Sequence, residues 1–506
     1  MRISTALACA LTLGSSLGSA LGSTGALAQT PVPQADNPWF AEGQAAIQDR
    51  IARTPNTNRA KNIILMVADG NGVGTNTATR IWEGQQKGML GEENVLSFES
   101  FPYLALAKTY NVNAQTPDSA GTSTAMQSGV KTKAGVIGVD ETLTRGDCAG
   151  TEAAKVASIG EILSEQGKSV GFVSTARITH ATPASGYAHS ADRNYEDDSK
   201  VPEGCDHPDI AAQLIEQMKT GVVDVAMGGG RRHFLPAEVT DDEGKTGKRT
   251  DGRNLIDEVK ANGAQYVWDD ESAKGLTFGD NAPILGLFES SHMKYEHDRT
   301  GEPSLAEMTE AAIKALQGNE NGFFLQVEAG RVDHANHDGN LHRVLTDGVA
   351  FADAVRKAAE MTSPEDTLII VTADHEHALA MNGYCGRGTP INGLCYDIDN
   401  AGVKHTEEAL KADDGKPFTV VMYLNGPGAV VKMQEDESFV GTRDDVDQTD
   451  ATDPDYTQQA IVPMSYETHS GEDVAIYARG PWAHLVDGTV EQNYIFHVMH
   501  HAANAK

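Results

Sequence analysis

The 506-residue sequence predicts an α/β fold, a three-layer sandwich around a large, mainly parallel sheet. Three observations carry that prediction. Short apolar runs recur at 62–68, 169–175, 222–227, 323–327 and 368–373, the first of them continuous, which is the pattern of strands buried on both faces. Each run is followed at once by a cluster of polar or glycine residues. Helical stretches such as 159–166 and 305–316 lie between them, and strand, polar cluster and helix in repeated order indicate a parallel sheet covered by helices.

In chain order, residues 31–58 are a polar lead-in with an amphipathic helix at 39–51. The run 62–68 ends in Asp69-Gly70-Asn71-Gly72, a carboxylate at a strand end where open α/β sheets place ligands, followed by glycines that let the backbone turn closely. The later runs lead to Arg177 and His180, to Gly228-Gly229-Gly230, to Glu328, and to Asp374-His375-Glu376-His377. These clusters are expected to converge on one edge of the sheet. Between 383 and 461 the rhythm lapses into a Gly-, Asp- and Thr-rich stretch with one strand at 418–424 and an acidic loop at 444–455. We read 383–461 as an inserted, crown-like region above the sheet. A last strand, 474–477, follows Glu467-Thr468-His469.

The first residues, Met1-Arg2, an apolar small-residue run and Ala26-Leu27-Ala28, have the charged start, apolar middle and A-x-A ending of a secretory signal peptide. We therefore expect a signal peptide at 1–28 and one domain at 29–506. Gly14, Ser15, Ser16, Gly18 and Ser19 break the apolar run, and no later stretch reaches the ~20 apolar residues a bilayer span needs. The expected product is exported across the inner membrane to the periplasm or medium. Cys9 falls in the signal peptide, leaving Cys148, Cys205, Cys385 and Cys395. An even number in an oxidising compartment suggests two disulfides with three possible pairings; the short loop between Cys385 and Cys395 favours local pairing, which leaves Cys148 with Cys205. Acidic residues outnumber basic ones 72 to 40, a net charge of −32, which argues against a nucleic-acid-binding surface. The acidity is expected to serve solubility or life in salt.

Two segments carry chemistry. After Gly330 a helical turn would set Asp333 and His337 at i and i+4 on one face, the geometry by which H-E-x-x-H helices hold zinc. Ser119, in Pro117-Asp118-Ser119-Ala120-Gly121-Thr122, opens a helix of small residues and reads either as a helix N-cap or as a nucleophile facing an anion at the helix N-terminus. A serine hydroxyl needs a base or a metal before it attacks. No G-x-S-x-G pattern supplies a base, whereas Asp, His and Glu at four strand ends suit metal ions.

At this point the chain resembles the alkaline phosphatase family, from about Asn62 to the C-terminus. The resemblance is carried by Val67-Ala-Asp-Gly-Asn-Gly72, Pro117-Asp-Ser-Ala-Gly-Thr122, His180-Ala-Thr182, Tyr187-Ala-His-Ser-Ala-Asp-Arg193, Val327-Glu-Ala-Gly-Arg-Val-Asp-His334 with His337, Thr372-Ala-Asp-His375 and Glu467-Thr-His469. It implies one zinc on Asp333, His337 and His469, a second on Asp69, Asp374 and His375, and a magnesium on Asp69, Thr182 and Glu328. Imidazole and carboxylate suit zinc, and oxygen alone suits magnesium. It further implies that Ser119 is phosphorylated and then hydrolysed, that Arg193 holds the equatorial phosphate oxygens, and that the substrates are phosphate monoesters of broad range.

The resemblance also implies a homodimer. Where enterobacterial enzymes carry Asp and Lys, this chain has His180 and His334, as the animal enzymes do; both are expected to support the site without binding metal directly. Segments around Glu243, Phe288, Glu289 and Glu302 resemble the calcium site of animal-type enzymes. The alternatives are a phosphodiesterase or sulfatase of the same superfamily, or a phosphate-binding protein. Asp118-Ser119-Ala120-Gly121 is not the C/S-x-P-x-R run a sulfatase needs, and a binding protein needs neither two metals nor a nucleophile.

Overall fold

A computed structural model describes residues 32–506 apart from 242, 280 and 281; the expected signal peptide, 1–28, lies outside the described residues. The chain divides into two compact units, Met1–Thr54 and Pro55–Lys506. In the first, helix α1 spans Pro38–Ala52, one residue beyond the predicted 39–51 at each end. The Asn37 side chain accepts the Trp39 N–H at 2.9 Å and caps it.

The second unit is built on ten strands: β1 Asn62–Ala68, β2 Tyr103–Lys108, β3 Ser169–Arg177, β4 Val225–Gly229, β5 Gln265–Val267, β6 Ile284–Leu287, β7 Phe323–Ala329, β8 Thr367–Ala373, β9 Val474–Arg479 and β10 Gly488–Glu491. Their order across the sheet is β10-β2-β9-β8-β1-β7-β3-β4-β6-β5. Every pairing is parallel except those β9 makes with β8 and β2. The helices used below are α2 Val73–Gln86, α3 Ser119–Ser128, α4 Ile159–Glu165, α5 Leu305–Leu316, α6 Arg331–His337, α7 Leu341–Met361 and α8 Tyr494–Asn504.

The central strands are mostly apolar because each feeds two cores. Successive side chains of a strand point to opposite faces. Ile63, Leu65 and Val67 of β1 join Met126 of α3, Leu163 of α4 and Met499 of α8. Ile64, Met66 and Ala68 join Ile81 of α2, Leu316 of α5 and Val344 of α7. Two helical layers on one sheet make the expected three-layer sandwich.

Strand β4 starts at Val225 rather than 222, because the N–H groups of Val222 and Val223 both donate to the Gln217 carbonyl and finish the preceding helix. The predicted strand 418–424 is found at Val421–Gly426, in a separate three-stranded sheet with Leu379–Met381 and Ala460–Pro463. Strands β2, β5, β6 and β10 are short additions that the apolar pattern does not announce. Disulfides join Cys148 to Cys205 and Cys385 to Cys395, the pairing that local spacing favours. Among the described residues no helix is long and apolar enough to cross a membrane.

Asp347 lies buried in the middle of α7, where it accepts the Glu296 N–H at 3.0 Å. Burial pushes its carboxyl from the ordinary 3.8 up to about 7. Between those two values the folded protein keeps a proton that the unfolded chain has released, so stability falls as pH rises through this window and stays lower above it. Asp347→Asn, which keeps an acceptor and removes the charge, is expected to raise Tm by a few degrees at pH 9 and to change it little at pH 4; calorimetry at the two pH values checks this.

Candidate active site

Three adjacent central strands place the first carboxylates. In register, Val67 of β1 pairs with Glu328 of β7, and Ala68 pairs with Ala373 of β8, so Asp69, Glu328 and Asp374 emerge together at the carboxyl edge. Gly70 follows with φ +68°, and a Cβ there would meet the His377 ring at 2.4 Å. Its N–H donates to Asp374 Oδ1 at 3.1 Å and levels the two strand ends. Just before β9, His469 pairs with His377 across a short antiparallel ladder. Because β9 runs against its neighbours, its start lies at the same edge as their ends.

The donor atoms fall into three groups, each within 4.8 Å: Asp333, His337, His377 and His469; Asp69, Asp374 and His375; and Asp69, His180 and Glu328. In the first, α6 sets Asp333 and His337 one turn apart. His337 Nδ1 donates to the Glu467 carbonyl at 2.5 Å and His469 Nδ1 to the Pro117 carbonyl at 2.8 Å. A carbonyl only accepts, so in the neutral rings both hydrogens sit on Nδ1 and both Nε2 atoms are bare. Those Nε2 atoms stand 3.1 Å apart, each 3.3 Å from Asp333 Oδ1. Lone pairs facing one another across a carboxylate suit a shared cation.

His377 completes this group, with Nε2 2.8 Å from Asp333 Oδ1 and Nδ1 2.5 Å from Glu467 Oε2. Burial works against its charged form, but the Glu467 and Asp333 carboxylates outweigh it and push the ring up to about 9. His377 thus bridges the Asp333 and Glu467 carboxylates and fixes Asp333.

In the second group His375 Nε2 stands 3.2 Å from Asp69 Oδ1 and 3.3 Å from Asp374 Oδ2, and burial pushes this imidazole down to about 3. Asp69 is pushed far up, first by burial and then by Asp374, Asp333 and Glu328. Converging buried carboxylates of this kind call for cations. In the third group Glu328 rises to about 7 through burial, and its Oε1 and the Thr182 Oγ are buried without a hydrogen-bond partner. Orphaned oxygens beside a shared carboxylate fit an oxygen-seeking ion.

Ser119 sits between the groups, 2% exposed, with Oγ 3.3 Å from Asp69 Oδ1 and 3.2 Å from His375 Nε2. It is the first residue of α3 and not the N-cap: Asp118 takes that position by accepting the Gly121 N–H at 3.1 Å. The other Asp118 oxygen accepts from Arg193 Nη1 at 3.1 Å and from the Gly135 N–H at 2.9 Å. Burial would raise this carboxyl, but Arg193 and the two N–H groups win and hold it low. Arg193 Nη2 reaches His180 Nε2 at 3.1 Å. His334 Nε2 lies 4.0 Å from Asp333 Oδ2, and burial drives both His180 and His334 well below the usual imidazole range. The structure brings Asp69, Ser119, Glu328, Asp333, His337, Asp374, His375 and His469 together, with Arg193 bonded to Asp118 and His180, and places a His180 nitrogen inside the third group.

The four outlying residues are not drawn into such a group. Glu243 is paired with Arg231, Glu289 lies 3.2 Å from Lys294 Nζ, and Glu302 accepts the Lys294 N–H at 2.8 Å. Phe288 is buried beside Glu289. The second Glu302 oxygen is buried with no partner, and burial pushes the carboxyl up to about 7.

A family model described as alkaline phosphatase matches residues 60–505. The chain belongs to the alkaline phosphatase family. Among curated alkaline phosphatases it is 43% identical to the tissue-nonspecific isozyme of Gallus gallus, across 92% of this chain and 89% of that protein. It is 42% identical to the alkaline phosphatase of Gadus morhua, across 94% and 98%. Alkaline phosphatase structures share its fold: that from Thermus thermophilus superposes with a TM-score of 0.62 at 24% identity over 94% and 96% of the two chains, and that from the Antarctic bacterium TAB5 with 0.60 at 22% over 89% and 100%. The chain is therefore a metal-dependent phosphomonoesterase, an alkaline phosphatase by family.

Sequence reasoning missed two of the alkaline phosphatase site's components. His377 stands two residues after His375, and period-two spacing just past a strand end was the available signal. Glu467 stood inside a quoted motif, but only the fold shows its carbonyl on His337 and its carboxylate on His377.

Proposed function

We propose that this alkaline phosphatase hydrolyses phosphate monoesters through a phosphoserine at Ser119, with zinc at Asp333, His337 and His469, zinc at Asp69, Asp374 and His375, and magnesium at Asp69, Thr182 and Glu328. The observation that carries the reading is the pair of bare Nε2 atoms of His337 and His469 facing Asp333 beside the buried Ser119 hydroxyl. When bound, two zinc ions supply Lewis-acid stabilisation of the attacking and leaving oxygens. Asp118 fixes the start of α3 and aims Arg193. Arg193 offers parallel N–H donors to the phosphoryl oxygens, and Ser119 Oγ attacks phosphorus as the ester P–O bond breaks. Water then cleaves the phosphoserine and returns the hydroxyl. His180 and His334 shape the surroundings of the third ion, with His180 also holding Arg193.

The test sets p-nitrophenyl phosphate, a bis-ester and a sulfate ester side by side, with and without chelator. Monoester hydrolysis that disappears with chelator is expected; faster turnover of the diester or the sulfate would overturn the reading. The proposal extends to an exported homodimer whose acidity suits saline surroundings.

It extends also to a calcium ion on Glu289, the Phe288 carbonyl and Glu302, supported by the buried, unpartnered Glu302 oxygen; Glu243, held by Arg231, stands outside that set. Lys294 Nζ now bonds Glu289 and the Thr300 carbonyl, the latter at 2.8 Å, and must swing away. Calcium is expected to raise Tm without raising turnover, and Glu289→Gln with Glu302→Gln to abolish that rise. Metal analysis showing no bound calcium would remove this site.

A further inference from the structure

We propose that Tyr466 is a specificity-determining residue, whose ring is the platform on which the alcohol portion of aryl phosphate esters rests. The inference builds on the reading of the site as a phosphomonoester pocket. That pocket measures about 440 Å³, with Ser119, Arg193 and His337 among its walls. Apart from Tyr466, every residue lining it is charged, hydroxyl-bearing or an imidazole. Such a lining recognises a phosphoryl group, and Tyr466 is its one large apolar ring.

Tyr466 stands at the mouth, 56% exposed. Its ring packs edge-on against His337, with centroids 5.7 Å apart at 82°. The phosphoryl group must sit between Ser119 and Arg193, and its leaving oxygen must point away from Ser119 for in-line displacement, toward the His337 and His469 side of the pocket. The first carbon of the alcohol then lies beyond His337, where Tyr466 stands. His337 meets the phenol on one side only, and offset or edge-to-face contact of the exposed ring with a second aromatic ring is favourable. Tyr466 is not needed to orient His337, whose ring is already fixed by the Glu467 carbonyl and by α6.

The test measures, by calorimetry on the metal-loaded protein, binding of phenylphosphonate and methylphosphonate, whose P–C bonds resist hydrolysis. In Tyr466→Ala the preference for the phenyl ligand is expected to fall roughly three- to tenfold, the range that one aromatic pair supplies. Tyr466→Phe is expected to keep it. The ratio of kcat/KM for phenyl phosphate to that for glycerol phosphate should fall in step, since intrinsic leaving-group reactivity cancels between variants. An unchanged preference in Tyr466→Ala would overturn the platform, as would loss of the preference in Tyr466→Phe. Equal weakening of both ligands with loss of zinc would overturn it too, assigning the ring to support of His337. A wild-type protein that hydrolyses monoesters without any phenyl preference fails this inference alone; one that hydrolyses no monoester fails the proposed function as well.

Discussion

Ser119→Ala is expected to lower turnover of p-nitrophenyl phosphate by roughly 10³-fold or more, because it removes the nucleophile that divides one hard displacement into two easier ones. The variant should keep its metal, since the groups around Asp333 and Glu328 do not use the hydroxyl. Residual hydrolysis should persist, with Arg193 still positioning phosphate for direct attack by water. Acid quench of the unaltered protein with labelled phosphate should trap one labelled serine per active site, and the variant should trap none. Turnover near that of the unaltered protein would exclude the covalent route.

Stripping the metal with a chelator is expected to abolish activity and to lower Tm together. The reason is the crowding of buried charge: Asp69, Asp374, Glu328 and Asp333 converge at the strand ends, and without cations they repel one another in a poorly solvated place. An ion at a thousandfold excess over its Kd contributes about 4 kcal/mol to the folded state, so several ions shift the melting curve well beyond measurement error. Zinc returned to the stripped protein should restore turnover, and magnesium alone should not. Full activity in chelator would overturn a metal-dependent mechanism.

The sequence made the centre of the sheet legible because β1, β3, β7 and β8 are buried on both faces and so carry runs rich in apolar residues. The outer strands lack that signal. β2 shows Leu104 and Leu106 to solvent, β5 spans only Gln265–Val267, and β6, though apolar and buried, spans only Ile284–Leu287. The carboxylates and imidazoles of the site could be named because each follows a strand or opens a helix. The partners that orient them could not, since the Pro117 and Glu467 carbonyls act through backbone atoms that any residue would supply. The N-cap reading of Ser119 failed by one position: Asp118 accepts the helix N–H, and Ser119 is thereby released from structural duty.

The antiparallel course of β9 sets the order in which a growing chain becomes an enzyme. Asp69 is made early, but His469 and the Glu467 carbonyl that holds His337 are made some four hundred residues later by their numbers. Until those last segments emerge, the Asp333 group lacks one imidazole and leaves another unaimed. The central parallel strands could collapse beforehand on their own apolar faces, yet the unfinished product would have an incomplete cation site and no competent catalytic centre. Activity is thereby tied to translation of the segment around Glu467 and His469, and chains cut before it should be inert however well their sheet folds.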